Sequence, residues 1–128
     1  MISLPHPVRV FLHAPATDLR KGFDALSGLV TSAFSQDPIS GHLFLFVNRR
    51  RDRLKILYWD RDGLAIWYKR LEAGSFQLPV IPHDAVSIEM SPTQLTLILS
   101  GIDLRFARQR KRYQRPTPEA NKSATALL

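Results

Sequence analysis

Two short runs of β-forming residues, Leu43–Val47 and Leu54–Trp59, enclose the segment Asn48-Arg-Arg-Arg-Asp-Arg53. Short apolar runs bounded by turn residues read as paired strands, so this layout puts fixed positive charge on a stiff turn. Leu43–Val47 is continuously apolar, too short for a typical helix and rich in Phe, which suits a strand covered on both faces. In the second run Leu54, Ile56 and Tyr58 fall on one face, and Lys55, Leu57 and Trp59 on the other. Asp60-Arg-Asp-Gly63 then signals a turn before a third run, Leu64–Leu71. The three runs predict an antiparallel meander. Leu64, Trp67, Tyr68 and Leu71 also fit a helical period, so helix stays open for the third run.

Around the meander the pattern changes. Val8–His13 predicts a strand broken at Pro15. Thr17 or Asp18 can cap a following helix, whose apolar stripe would be Leu19, Phe23, Leu26, Val30 and Phe34. Gly22 and Gly28 weaken that helix in isolation, so it needs a sheet to pack on. Asp37-Pro38 and Ser40-Gly41 end it. After a loop marked by Gly74, Pro79 and Pro82, Val86–Met90 predicts a last strand. Ser91-Pro-Thr-Gln94 has the form of a capping box with proline at the first helical position, and Gly101 is a natural stop. The expected fold class is α+β: an antiparallel β-meander packed against an N-terminal amphipathic helix, with a short C-terminal helix and a basic arm. With 128 residues, one core suffices. Residues 1–115 are expected to form that domain and its arm, and residues 116–128, rich in Pro, Thr, Ala, Asn and Ser, a disordered tail.

Charge then narrows the function. The net charge is +7, yet residues 49–55 alone carry +4 and residues 105–115 carry +6, leaving the remainder about −3. Such concentration favours a polyanionic partner over mere solubility. Arg49, Arg50, Arg51, Arg53 and Lys55 are the first candidates for nucleic-acid contact, because a guanidinium pairs bidentately with phosphate. Arg61, Lys69 and Arg70 lie close by in sequence, and the arm offers Arg105, Arg108, Arg110, Lys111, Arg112 and Arg115. The bland reading is a solvated turn that keeps the sheet soluble. Tyr58, Trp59, Trp67 and Tyr68 are either a stacking platform for unpaired bases or core; the faces they occupy decide it.

Catalysis has little support. No cysteine is present, which removes disulfides, thiolate nucleophiles and cysteine-bound metals. Asp60, Asp62, Glu72, Asp84 and Glu89 have no diagnostic spacing for a two-metal nuclease, and His6, His13, His42 and His83 lack metal-ligand spacing. No Gly-rich phosphate loop or nucleophile elbow occurs. Neither enzyme activity, cofactor nor metal is expected. No stretch approaches the roughly 18 apolar residues of a membrane span, and the chain reads as cytoplasmic.

Five segments carry a resemblance: Asp18-Leu-Arg-Lys-Gly-Phe-Asp24, Asp37-Pro-Ile-Ser-Gly-His-Leu-Phe-Leu-Phe46, Asn48–Asp60, Gly63–Glu72 and Leu99-Ser-Gly-Ile-Asp103. In this order, from about residue 8 to residue 106, the chain resembles the TnpB (Orf2-like) proteins of bacterial insertion sequences of the IS-sixty-six type. That resemblance implies an accessory protein for transposition, encoded beside a separate transposase that carries the catalytic acids. DNA, the transposase, other element-encoded proteins and a second copy of the chain are the partners to expect. An adaptor that bridges transposase subunits without touching DNA is the alternative. The family usually shows a glycine in the arginine turn, where this chain has Arg51, which makes the turn more basic.

Overall fold

The computed structural model describes residues 7–101. It is a mixed α+β fold with one five-stranded sheet and two helices. In chain order these are β1 (Val10–His13), α1 (Phe23–Ser32), β2 (Leu43–Val47), β3 (Arg53–Asp60), β4 (Gly63–Arg70), β5 (Ser87–Met90) and α2 (Pro92–Ser100). The sheet order is β4-β3-β2-β1-β5, which leaves β4 and β5 as the edges.

The β2-β3-β4 meander is antiparallel, with Leu45 opposite Ile56 and Leu57 opposite Ile66. Residues 63–70 are therefore strand and not helix. The sheet as a whole is mixed, because the two strands outside the meander, whose pairing the sequence pattern left open, join it differently. β1 runs parallel to β2, with Phe11 opposite Phe44, and β5 closes the other side antiparallel to β1. A parallel pair needs a crossover long enough to carry the chain back along the sheet, and the segment containing α1 supplies it.

Central strands covered on both faces must be largely apolar: β2 is apolar throughout, and β1 is apolar up to its last residue, the half-buried His13. Phe11, Phe44, Phe46 and Leu57 face α1 and cluster with Leu26 and Val30. Val10, Leu12, Leu45, Val47, Leu54 and Ile56 face the opposite way, against Phe76 and the Leu95 and Ile98 side chains of α2. In the first cluster the rings interlock, with the Phe34 and Phe44 centroids 5.3 Å apart, a separation at which aromatic pairs gain about 0.5–1.5 kcal/mol beyond burial.

α1 is shorter than the apolar stripe predicts. It begins at Phe23 after an extended Gly22 that makes no side-chain cap, so neither Thr17 nor Asp18 caps it. The reason is that both are engaged elsewhere. Thr17 is buried and donates its N–H to the Val47 carbonyl at 2.9 Å. The Asp18 carboxylate accepts the Arg20 N–H at 3.0 Å. Leu19 and Phe34 still pack in the α1 cluster from outside the helix, whereas Phe23 is 48 % exposed and leaves the stripe. α2 matches its sequence signature. Ser91 accepts the Gln94 N–H at 3.1 Å, the Gln94 side chain accepts the Ser91 N–H at 2.9 Å, and Gly101 ends the helix at φ 84°. The expected arm and tail, residues 105–128, lie outside the described residues.

Candidate functional site

The β2–β3 connection is built by one side chain. Asn48 accepts the N–H groups of Asp52 and Arg53 on its Oδ1 at 3.1 and 3.0 Å and donates its Nδ2 to the Asp52 carboxylate at 2.7 Å. The backbone closes with Arg51 N–H on the Asn48 carbonyl at 3.0 Å. Two further bonds tie the turn to the body: Asp52 and Arg51 carbonyls accept the N–H groups of Leu71 and Phe76 at 2.7 and 2.6 Å. Arg51 takes the left-handed conformation, φ 60°, which a glycine adopts without steric cost. An arginine thus occupies the backbone position that a turn of this kind reserves for glycine.

Such anchoring leaves the guanidinium groups uncommitted. Among the described residues, Arg49, Arg50, Arg51 and Arg53 make no side-chain hydrogen bond or ion pair, whereas Arg9 pairs with Glu89 at 2.7 Å, Arg20 with Asp18 at 2.6 Å and Arg70 with Glu72 at 2.8 Å. These partners hold the Asp18 carboxyl well below the usual carboxylate range and lower that of Glu89, chiefly through the side-chain hydrogen bonds from Arg20 and Arg9.

The turn forms one wall of an open groove of about 630 Å³. Arg49, Arg50 and Arg53 line it, with Asn48 and Asp52. Residues 16–20, which follow β1, form the facing wall, and Tyr68 of β4 completes the lining. Arg51 turns away and borders a smaller pocket of about 110 Å³ with His13, Pro15 and Leu78. Burial pushes the His13 imidazole pKa down, so at neutral pH this residue adds no charge there.

The other sequence candidates scatter. Lys55 sits beside the groove, donating its Nζ to the Lys21 carbonyl at 2.9 Å and lying 4.9 Å from the Tyr68 ring centroid. Arg70 is opposite Arg53 across β3 and β4 and shares its face, while Lys69 points to the other side, opposite Leu54. Arg61 sits at the far tip of the β3–β4 hairpin, roughly 25 Å away at the rise of an eight-residue strand. The six arm residues Arg105 to Arg115 lie outside the described residues. The four aromatics divide between faces: Tyr58 and Trp67 on one, Trp59 and Tyr68 on the other. They form no common platform.

Sequence reasoning missed the facing wall. Asp18 and Arg20 border the arginine groove although some thirty residues separate them in the chain. The signal available was the motif at residues 18–24, which was legible as a motif but had no role. Among the described residues, no group of three or more His, Cys, Asp or Glu side chains is placed to hold a metal ion, and no helix is long and apolar enough to cross a membrane.

Comparison with known proteins bears on what this groove belongs to. Residues 8–109 match the family described as IS66 Orf2 like protein. Two relatives come from Sinorhizobium fredii. The uncharacterized protein y4jC is 36 % identical over 120 residues, covering 94 % of this chain and all of the relative. The uncharacterized protein y4hO is 37 % identical over 109 residues, covering 85 % and 93 % of the two chains. No solved structure matches. The match spans the sheet, both helices and the groove, and on it the chain belongs to the IS66 Orf2-like family, a family of transposition accessory proteins.

Proposed function

We propose that this accessory protein binds DNA through the arginine turn and performs no bond-breaking itself. The observation that carries the reading is the contrast in pairing: Arg9, Arg20 and Arg70 are matched to carboxylates, while Arg49, Arg50, Arg51 and Arg53 are held on a braced turn without an ion-pair partner among the described residues. Unneutralised like charges repel, so their clustering costs stability and suits a surface that meets phosphates. Rigid placement lowers the entropy lost on contact. The arm at residues 105–115 would extend the same electrostatic footprint, and the ends of the mobile element are the natural target for a protein of this family.

A salt series tests it. Each phosphate neutralised contributes about −0.9 to the slope of log affinity against log salt. Turn and arm together, with about eight contacts, give a slope near −7. Replacing Arg49, Arg50, Arg51 and Arg53 with alanine in the full chain should flatten that slope by between about 3 and 4. An unchanged slope and affinity in the quadruple variant would remove the site. Retention of a transposase in nuclease-treated pull-downs, with no DNA binding by the purified chain, would move the function to protein bridging.

A further inference from the structure

Tyr68 departs from the usual fate of a strand aromatic. It is 47 % exposed and lines the same groove as Arg49, Arg50 and Arg53. Its ring is also held. The Lys55 ammonium lies 4.9 Å from the centroid and is anchored in turn on the Lys21 carbonyl. A cation on one face of an aromatic ring fixes the ring and draws electron density toward itself, which makes the remaining face a better stacking partner for an electron-rich base. Base–aromatic stacking of this kind requires a base whose face is free, and inside a duplex both faces are covered by neighbouring base pairs.

One carboxylate in the groove points the same way. Asp18 is committed to Arg20, but Asp52, whose Oδ1 takes the Asn48 amide, keeps its Oδ2 without a hydrogen bond among the described residues. A carboxylate oxygen repels phosphate but accepts the exocyclic amino group of a base edge. The groove volume of about 630 Å³ is on the scale of sites that hold small ligands, the size class of a single base rather than of a duplex.

Resting on the DNA-binding reading above and extending it, we infer that the groove takes an unpaired stretch of DNA, with one base stacked on Tyr68 and its flanking phosphates on Arg49, Arg50 and Arg53. Sequence preference then comes second to strandedness. The protein would engage strand ends, melted segments or transfer intermediates in preference to intact duplex.

Fluorescence anisotropy on the full chain, at one salt concentration, compares a short labelled single strand, the same strand annealed to its complement, and an abasic strand of equal length. The wild type should bind the single strand more tightly than the duplex. Tyr68→Leu should lose roughly 5- to 150-fold on the single strand, the 1–3 kcal/mol of one stacked base, with duplex binding unchanged; Tyr68→Phe should keep full affinity. The abasic strand should bind the wild type more weakly by a factor similar to that of Tyr68→Leu, and this arm is independent of how any variant folds. Equal wild-type affinity for single strand and duplex, together with no loss on the abasic strand, overturns the inference while leaving DNA binding intact. Failure to bind any of the three removes both readings.

Discussion

If Asn48 organises the arginine turn, Asn48→Ala should destabilise the protein and loosen the groove wall without unfolding the hairpin. The side chain makes three hydrogen bonds, at 2.7, 3.0 and 3.1 Å, two of them from consecutive backbone N–H groups. Each is worth about 0.5–1.5 kcal/mol net. Because the turn is part-exposed and water can replace some of these contacts, the expected loss is about 2 kcal/mol, near the lower end of the sum. For a chain of 128 residues 1 kcal/mol moves the midpoint by about 4 °C, so thermal melting by circular dichroism should show a drop of about 8 °C. The backbone bonds from Arg51 N–H to the Asn48 carbonyl and from Asn48 N–H to the Arg53 carbonyl, at 3.0 and 3.2 Å, survive the substitution. Damage should accordingly be local: amide exchange should quicken at Asp52 and Arg53 and stay slow in the buried β1 and β2. A fall of less than about 4 °C, under 1 kcal/mol, would refute the assignment of Asn48 as the brace.

Two further substitutions probe the same walls. Arg51→Gly relieves a left-handed residue, worth about 1–2 kcal/mol, against about 0.5–1 kcal/mol of extra backbone entropy; stability should hold or rise by up to about 1.5 kcal/mol, and the salt slope of DNA binding should shrink by about 0.9. A clear loss of stability would show that the arginine side chain packs favourably where its backbone is strained. For Asp18, whose carboxyl is held below the usual range mainly by the Arg20 hydrogen bond, the contribution is present above the ordinary carboxylate pKa and is lost as pH falls toward the depressed one. Asp18→Asn should therefore melt earlier than the wild type at neutral pH, and the gap should close in strong acid. A gap that persisted or widened in acid would contradict the pairing.

Local elements were legible because their chemistry is local. The capping box at Ser91 and Gln94, the Asp60-Arg-Asp-Gly63 turn and the doubly covered Leu43–Val47 strand each follow from neighbouring residues. The start of α1 was not. Thr17 and Asp18 have the right composition for a helix cap, but Thr17 is drawn to the end of β2 and Asp18 to Arg20, tertiary and turn contacts that periodicity does not register. The alternative of helix for residues 64–71 also had sound periodicity; pairing with β3 along eight residues decides it.

The groove was illegible for a topological reason, and that reason also explains why it exists. Because β1 and β2 are parallel neighbours, both finish at the same end of the sheet, and the chain leaves each there as a loop. Residues 16–20 follow β1 and residues 48–52 follow β2, so the two loops rise side by side, joined by the Thr17 N–H on the Val47 carbonyl. A crevice outside the carboxyl ends of parallel strands is where open sheets with crossover helices bind ligands. The strand pattern of residues 8–13 does not say which way β1 runs; antiparallel to β2, it would place those loops a strand length apart. Once the parallel pair is placed, the motif at residues 18–24 acquires a location: it supplies the wall that faces the arginines, with Asp18 held on Arg20. An insertion that lengthened the 14–22 loop would shift that wall while leaving the arginine turn untouched, so affinity for single strands should fall while contact with phosphates outside the groove persists.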